Sequence, residues 1–152
     1  MKKAEWYEGK EGKAEHLVYL NSKEKELEKL LNGSKTMIIR GAAGKKCPLG
    51  GRAKINDTIY FVETGGNMMV SYKGIISYVD EDYKMTPEES IKFLKKYDKQ
   101  LNLSEKQYEK WSSKKCLAVY EISNINKIVP FKYNREKNMD DWIITDNINK
   151  LK

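Results

Sequence analysis

Short apolar runs and apolar residues at helical spacing divide this chain into eight predicted elements. Period-two alternation with β-branched and aromatic residues favours strands, whereas apolar residues three or four positions apart favour helices. In chain order, the pattern predicts strand 16–20, helix 22–31, strands 35–40, 57–64 and 68–79, helices 87–101 and 104–112, and strand 116–122. This order predicts an α+β fold, a small mixed and partly closed β-barrel with flanking helices.

Turn and capping residues mark several ends of these elements. Residues 86–89 (Thr-Pro-Glu-Glu) and 104–107 (Ser-Glu-Lys-Gln) are capping boxes, which predict that two helices start there. Ser22 is predicted to cap the first helix and Gly33 to end it. Gly74 interrupts a long strand pattern and predicts a β-bulge. Residues 125–131 either continue the last strand or add another.

Length and composition favour one small domain that neither spans a membrane nor binds a metal. Residues 1–13 lack periodicity and predict a loose N-terminal arm, which leaves 14–152 as a single domain whose tail, 142–144, packs back on the body. The chain shows no bilayer-length apolar run and no signal region, so we expect a cytoplasmic protein. Two cysteines without CxxC spacing and one histidine predict reduced thiols, no metal site and no cofactor.

The positive charge of the chain is concentrated in residues 35–54, here called the basic segment. It holds six basic and no acidic side chains, whereas the rest of the chain is nearly balanced, so it carries +6 of the net charge of +7. Its cations are Lys35, Arg40, Lys45, Lys46, Arg52 and Lys54. Such a surface favours an anionic partner, namely RNA or another nucleotide-like anion, although a solvated basic loop is the alternative.

Lys35 and Arg40 are the leading binding candidates of the basic segment. A lysine supplies a point charge and an arginine a planar fork, which together suit a phosphate or a base edge. Residues five apart on a strand point to opposite faces, so the two share a cleft only if the strand kinks or Lys35 precedes regular pairing. Lys45 and Lys46 lie between glycines, which let backbone N–H groups approach an anion.

Residues 33–40, Gly-Ser-Lys-Thr-Met-Ile-Ile-Arg, resemble the signature of the ASCH domains in the PUA-like superfamily. That signature has glycine, lysine and arginine at these spacings after the first helix, with a glutamate where this chain has Ile38. Residues 55–61 resemble the second landmark of the family, a Gly-Asp before a strand, with Asn56 in place of the glycine. The resemblance covers about the central two-thirds of the chain.

The resemblance implies a compact β-barrel and RNA-related work. One small ASCH branch removes the acetyl group from acetylated cytidine with a lysine, a threonine three positions later and a distant glutamate. Lys35 matches that lysine, but Ile38 occupies the threonine position and cannot act as a nucleophile. The resemblance therefore implies RNA binding here without this deacetylation.

Three function hypotheses follow. The preferred one is an RNA-binding module with Lys35 and Arg40 at the floor of a basic cleft and the other four cations on the RNA backbone. The second is a small enzyme acting on RNA or a modified nucleoside, with Lys35 and a carboxylate such as Glu63 or Glu121 as catalytic candidates. The third is an adaptor whose basic segment meets an acidic protein.

Overall fold

The computed structural model describes residues 14–42, 53–138 and 140–152 of the chain. The elements are β1 (Glu15–Leu20), α1 (Glu26–Asn32), β2 (Met37–Ala42), β3 (Thr58–Glu63), β4 (Met69–Asp82), α2 (Pro87–Lys96), α3 (Asp98–Leu101), α4 (Glu105–Trp111), β5 (Cys116–Lys132), β6 (Trp142–Thr145) and a 3₁₀ helix (Ile148–Leu151). The arm predicted for residues 1–13 lies outside the described residues.

The six strands form one curled sheet in the order β2-β5-β4-β3-β1-β6. β1 and β3 are parallel, and every other neighbouring pair is antiparallel. The edge strand β2 approaches β1 at the far side, because Arg40 donates a hydrogen bond from Nη2 to the Tyr19 carbonyl at 2.7 Å. The sheet is thus a half-barrel with an open seam, which confirms the predicted α+β class and the partly closed barrel.

Three apolar clusters hold the sheet and helices together. The barrel interior contains Val18, Leu20, Ile38, Ile59, Phe61, Ile76, Tyr120, Ile122 and Trp142, with Leu30 of α1 packed against them. The outer face of β2 and β5 is covered by α2, α3 and α4 through Phe93, Leu94, Tyr97, Leu101 and Trp111. On the outer face of β1, β3 and β6, Leu17, Tyr60 and Ile143 pack with Tyr133 and the 3₁₀ helix.

The helix ends agree only partly with their local signals. Both capping boxes form, and Gly33 ends α1 in the left-handed conformation with φ 80°, as predicted. The predicted helix 87–101 is wrong as one element, since it breaks at Tyr97 into α2 and α3. Ser22 does not cap α1: its Oγ donates to the Thr64 carbonyl at 2.8 Å, and α1 starts after Lys25 without a side-chain cap.

The pairing of the two long strands β4 and β5 accounts for the glycine at position 74 and for the structure of the chain after residue 122. The register between β4 and β5 shifts at Gly74, as predicted, and a Cβ there would lie 2.7 Å from Ile122 Cγ2. Residues 123–132 continue β5 and 142–145 form β6.

The prediction of reduced thiols is wrong for Cys116, which is buried and disulfide-bonded.

Candidate functional site

A cavity of about 520 Å³ opens at the seam of the half-barrel and is called here the Arg40 pocket. Its wall is formed by the end of β1, the middle of β2, the residue after β3, the start of α1, helix α4 and the residue before β6. The lining residues are Tyr19, Asn21, Lys23, Glu24, Glu26, Ile39, Arg40, Thr64, Lys106, Gln107, Lys110, Trp111 and Asp141. Because the curl of the sheet brings these segments together, the pocket depends on the fold and not on one local motif.

The guanidinium of Arg40 is held rigidly at the pocket wall. Its side chain is 12% exposed, and its two terminal nitrogens donate to the carbonyls of Ile39 and Tyr19 at 2.7 Å each. Arg40 Cζ lies 5.6 Å from the centroid of the Trp142 ring, which is a cation–π distance. Arg40 Nε is buried and has no hydrogen-bond partner among the described residues, although Asp141 Oδ2 lies 3.5 Å away.

A buried chain of hydrogen bonds fixes the ring beneath Arg40. Trp142 Nε1–H donates to His16 Nδ1 at 2.9 Å, so this nitrogen accepts and His16 Nε2 carries the proton. His16 Nε2–H then donates to Asp57 Oδ2 at 2.8 Å, and this oxygen also accepts from the backbone N–H of Lys54 at 3.0 Å. The chain links the end of the basic segment to the indole on which the guanidinium rests.

Lys35 lies behind the wall of the Arg40 pocket. It precedes β2, and its side chain is only 1% exposed. Its ammonium donates a hydrogen bond to the Leu101 carbonyl and lies 3.9 Å from Glu26 Oε2. Burial lowers the pKa of Lys35 to about 8, and the opposing effect of the Glu26 carboxylate only partly offsets it. Glu26, which lies beside the Lys35 ammonium, lines the pocket.

The other predicted site residues are spread over the molecule. Lys45, Lys46 and Arg52 lie outside the described residues, and Lys54 is half-buried beside the barrel. Glu63 borders a different groove, formed mainly by α1 and Tyr72. Glu121 pairs with Met37 within the sheet and is half-buried. Of the five candidates within the described residues, the structure therefore places Arg40 in the pocket wall and Lys35 behind it.

Several residues of the pocket were not predicted from the sequence. They are Lys23, Glu24, Glu26, Lys106, Lys110, Trp111 and Asp141. Among them and Arg40, four cations face three carboxylates, so the described wall is mixed in charge. The spacing of Lys106 and Lys110, four positions apart after a capping box, was the available signal that both lie on one helix face.

Neither a metal cluster nor a membrane-spanning helix is present in the described part of the chain. No three His, Cys, Asp or Glu side chains of residues 14–42, 53–138 and 140–152 are placed to hold a metal ion. No helix in these ranges is long and apolar enough to cross a bilayer.

Comparison with known proteins identifies the fold. No protein-family model matches the sequence, and no curated protein is significantly similar to it. A serine-to-alanine mutant of the ASCH protein of Zymomonas mobilis is 15% identical, covers 93% of this chain and 96% of its own, and superposes with a TM-score of 0.61. A tyrosine-to-phenylalanine mutant of that protein is also 15% identical, with 90% and 95% coverage and a TM-score of 0.60. The chain therefore has the ASCH-type, PUA-like α+β fold.

Proposed function

We propose that this protein is a nucleic-acid-binding module that binds single-stranded RNA in the Arg40 pocket. The observation that carries the proposal is the guanidinium of Arg40, which is fixed at the pocket wall with a buried Nε–H that has no hydrogen-bond partner in the described chain. An arginine held in this way is preorganised to donate to a phosphate or to the edge of a base.

The size and lining of the pocket support a nucleotide ligand. Its volume of about 520 Å³ lies in the range of small-molecule sites. Trp111 is largely buried, and the small part of it that stays exposed lines the pocket. Lys110 Nζ lies 4.6 Å from the centroid of that ring. Aromatic surfaces next to cations are typical of sites that bind single-stranded nucleic acids, because bases stack and phosphates are neutralised.

The basic segment supports RNA over a small neutral ligand. The chain leaves β2 at Ala42, two residues after Arg40, and then carries Lys45, Lys46 and Arg52 without any acid. These cations extend the positive charge along the chain beyond the mixed wall of the pocket. We expect these cations to neutralise further phosphates of a bound strand.

A salt titration tests this proposal. Fluorescence anisotropy with a labelled oligouridylate of about 12 nucleotides should show binding at low salt, and log affinity should fall against log salt with a slope of about −3 to −4. Lys106→Ala combined with Lys110→Ala should reduce the slope by about one unit, since both exposed lysines line the pocket.

The chain offers a matched control for this double variant. Lys92 and Lys96 are also exposed and four positions apart on a helix, but they lie beside the acidic side chains of Asp80 and Glu89. Lys92→Ala with Lys96→Ala should leave affinity and slope nearly unchanged. Absence of RNA binding at low salt, or equal losses in the two double variants, would contradict the proposal. Binding of an acidic protein instead of RNA would favour the adaptor hypothesis.

The environment of Lys35 favours a small enzyme acting on RNA or a modified nucleoside as the second candidate. The pKa of Lys35 is lowered to about 8 by burial, so about a tenth of the amine is neutral at about pH 7. Glu26, the carboxylate beside it, lines the pocket. Release of a product from RNA or nucleoside substrates, lost in Lys35→Met with RNA affinity retained, would favour this candidate.

A further inference from the structure

We propose that the Nε edge of Arg40 binds one phosphate group and that Asp141 is the carboxylate which this phosphate must displace. The inference rests on the proposed function for the identity of the phosphate, which belongs to the bound strand. It assigns Asp141 as a residue that weakens binding of anions in the free protein, and thus as a determinant of specificity.

Two hydrogen bonds fix the guanidinium of Arg40, and its buried Nε–H stays without a hydrogen-bond partner among the described residues. The two terminal nitrogens point to the carbonyls of Ile39 and Tyr19 at 2.7 Å, which fixes the plane of the guanidinium. Nε is the remaining nitrogen, and within the described chain it makes no hydrogen bond. Asp141 Oδ2 lies 3.5 Å from it, which is an ion-pair distance but too long for a good hydrogen bond. A phosphate oxygen at about 2.8 Å would satisfy this donor better.

The other two carboxylates of the pocket are already engaged. Glu24 accepts a hydrogen bond from the Ser104 hydroxyl. Glu26 accepts from the backbone N–H of Asn21 at 2.7 Å and lies 3.9 Å from the Lys35 ammonium. Asp141 differs from both, because its side chain is 73% exposed and its contact in the described structure is the ion pair with Arg40.

The backbone positions Asp141 while its side chain stays displaceable. Its carbonyl accepts a hydrogen bond from the Tyr19 N–H at 2.9 Å, which holds the residue at the end of β1 next to Arg40. An exposed ion pair is weak, so a singly charged phosphate of the strand, with better geometry, replaces the carboxylate at small cost. A weakly bound or poorly placed anion does not replace the Asp141 carboxylate. The pocket is therefore more selective for a correctly placed phosphate.

Neutralisation of Asp141 tests the inference with a matched control. In anisotropy titrations at low salt, Asp141→Asn should bind the oligouridylate about 3- to 10-fold more tightly than the wild type, because one negative charge near the bound phosphate is removed. Asp140→Asn removes the same charge from the neighbouring exposed residue, which has no ion pair with Arg40, and should change affinity less than about 2-fold. Equal melting temperatures of the three proteins would show that folding is unchanged.

A second readout uses inorganic phosphate and needs no RNA. In the ¹⁵N NMR spectrum, phosphate should shift the Nε–H signal of Arg40, at a concentration about 3- to 10-fold lower in Asp141→Asn than in the wild type. Equal RNA affinities for Asp141→Asn and Asp140→Asn would overturn the inference and leave RNA binding intact. An Arg40 signal that phosphate does not move in either protein would also overturn it. A shifted Arg40 signal without any RNA binding would preserve the phosphate site and refute the proposed function.

Discussion

Because the ammonium of Lys35 is buried, the free energy of unfolding of this protein should depend on pH in the alkaline range. The side chain is 1% exposed, and burial lowers its pKa from 10.5 to about 8. In the unfolded chain the lysine keeps the higher pKa, so the unfolded state binds more protons between pH 8 and pH 10.5. The free energy of unfolding therefore rises with pH through this window, and the cost of burying the charge is fully present below pH 8.

The size of this effect follows from the pKa difference. The shift from 10.5 to about 8 corresponds to about 3 kcal/mol, of which about 2 kcal/mol is gained from about pH 7 to about pH 9.5. Lys35→Met removes the titrating group and retains the apolar stem. Urea unfolding of both proteins across this range should show the wild type gaining about 2 kcal/mol relative to the variant. Tyrosine ionisation occurs in both proteins and cancels in the difference.

An exposed lysine provides the control for this measurement. Lys92→Met removes an ammonium from the exposed surface of α2, and its stability difference from the wild type should not change with pH. Stability curves of the wild type and Lys35→Met that run parallel, within about 0.5 kcal/mol, from about pH 7 to about pH 9.5 would contradict a lowered pKa of Lys35.

Four further predictions concern the barrel interior, the basic segment and catalysis. His16→Phe should lower the free energy of unfolding by about 2–4 kcal/mol, because it removes one hydrogen bond from the buried Asp57 carboxylate and the acceptor of the Trp142 indole N–H. Tyr120→Phe should change it by less than about 1 kcal/mol, since the buried Tyr120 hydroxyl has no partner in the described chain; urea unfolding checks both. Lys45→Ala with Lys46→Ala should reduce the salt slope of RNA binding by about one unit, and an unchanged slope would place the strand elsewhere. Because Ile38 is fully buried and has no nucleophilic group, incubation with acetylated cytidine should release no cytidine, and any turnover would show that another residue acts.

Local sequence signals predicted the elements whose ends are determined by neighbouring residues. Both capping boxes and Gly33 were correct because their hydrogen bonds close within one helical turn. Ser22 failed as a cap because its hydroxyl bonds to Thr64, a residue 42 positions away that the sheet brings close. Helix 87–101 broke at Tyr97, whose hydroxyl donates to Asp80 and lies 3.0 Å from the Tyr78 hydroxyl on β4. These contacts depend on the tertiary fold and leave no local pattern.

In the candidate site too, local signals predicted some residues, whereas others are brought in by the tertiary fold. Arg40 was predicted because the signature residues and the charge count both point to it. Asp141 and Lys110 reach Arg40 from chain segments about 100 and 70 residues away in sequence, so only the curl of the sheet places them in one pocket. The charge count could not predict that Lys35 is buried, because it records the sign of a side chain and not its position relative to the surface.

The most direct test of the central claim is an NMR map of the RNA contact surface. Addition of the oligouridylate to ¹⁵N-labelled protein should shift the Arg40 Nε–H, the Trp111 indole N–H and the backbone signals of α4, since these groups line the pocket. The backbone signals of Lys92 and Lys96 on α2 should stay in place, because this helix borders the acidic groove instead. Shifts concentrated at α2, or a spectrum that RNA leaves unchanged at low salt, would contradict RNA binding in the Arg40 pocket.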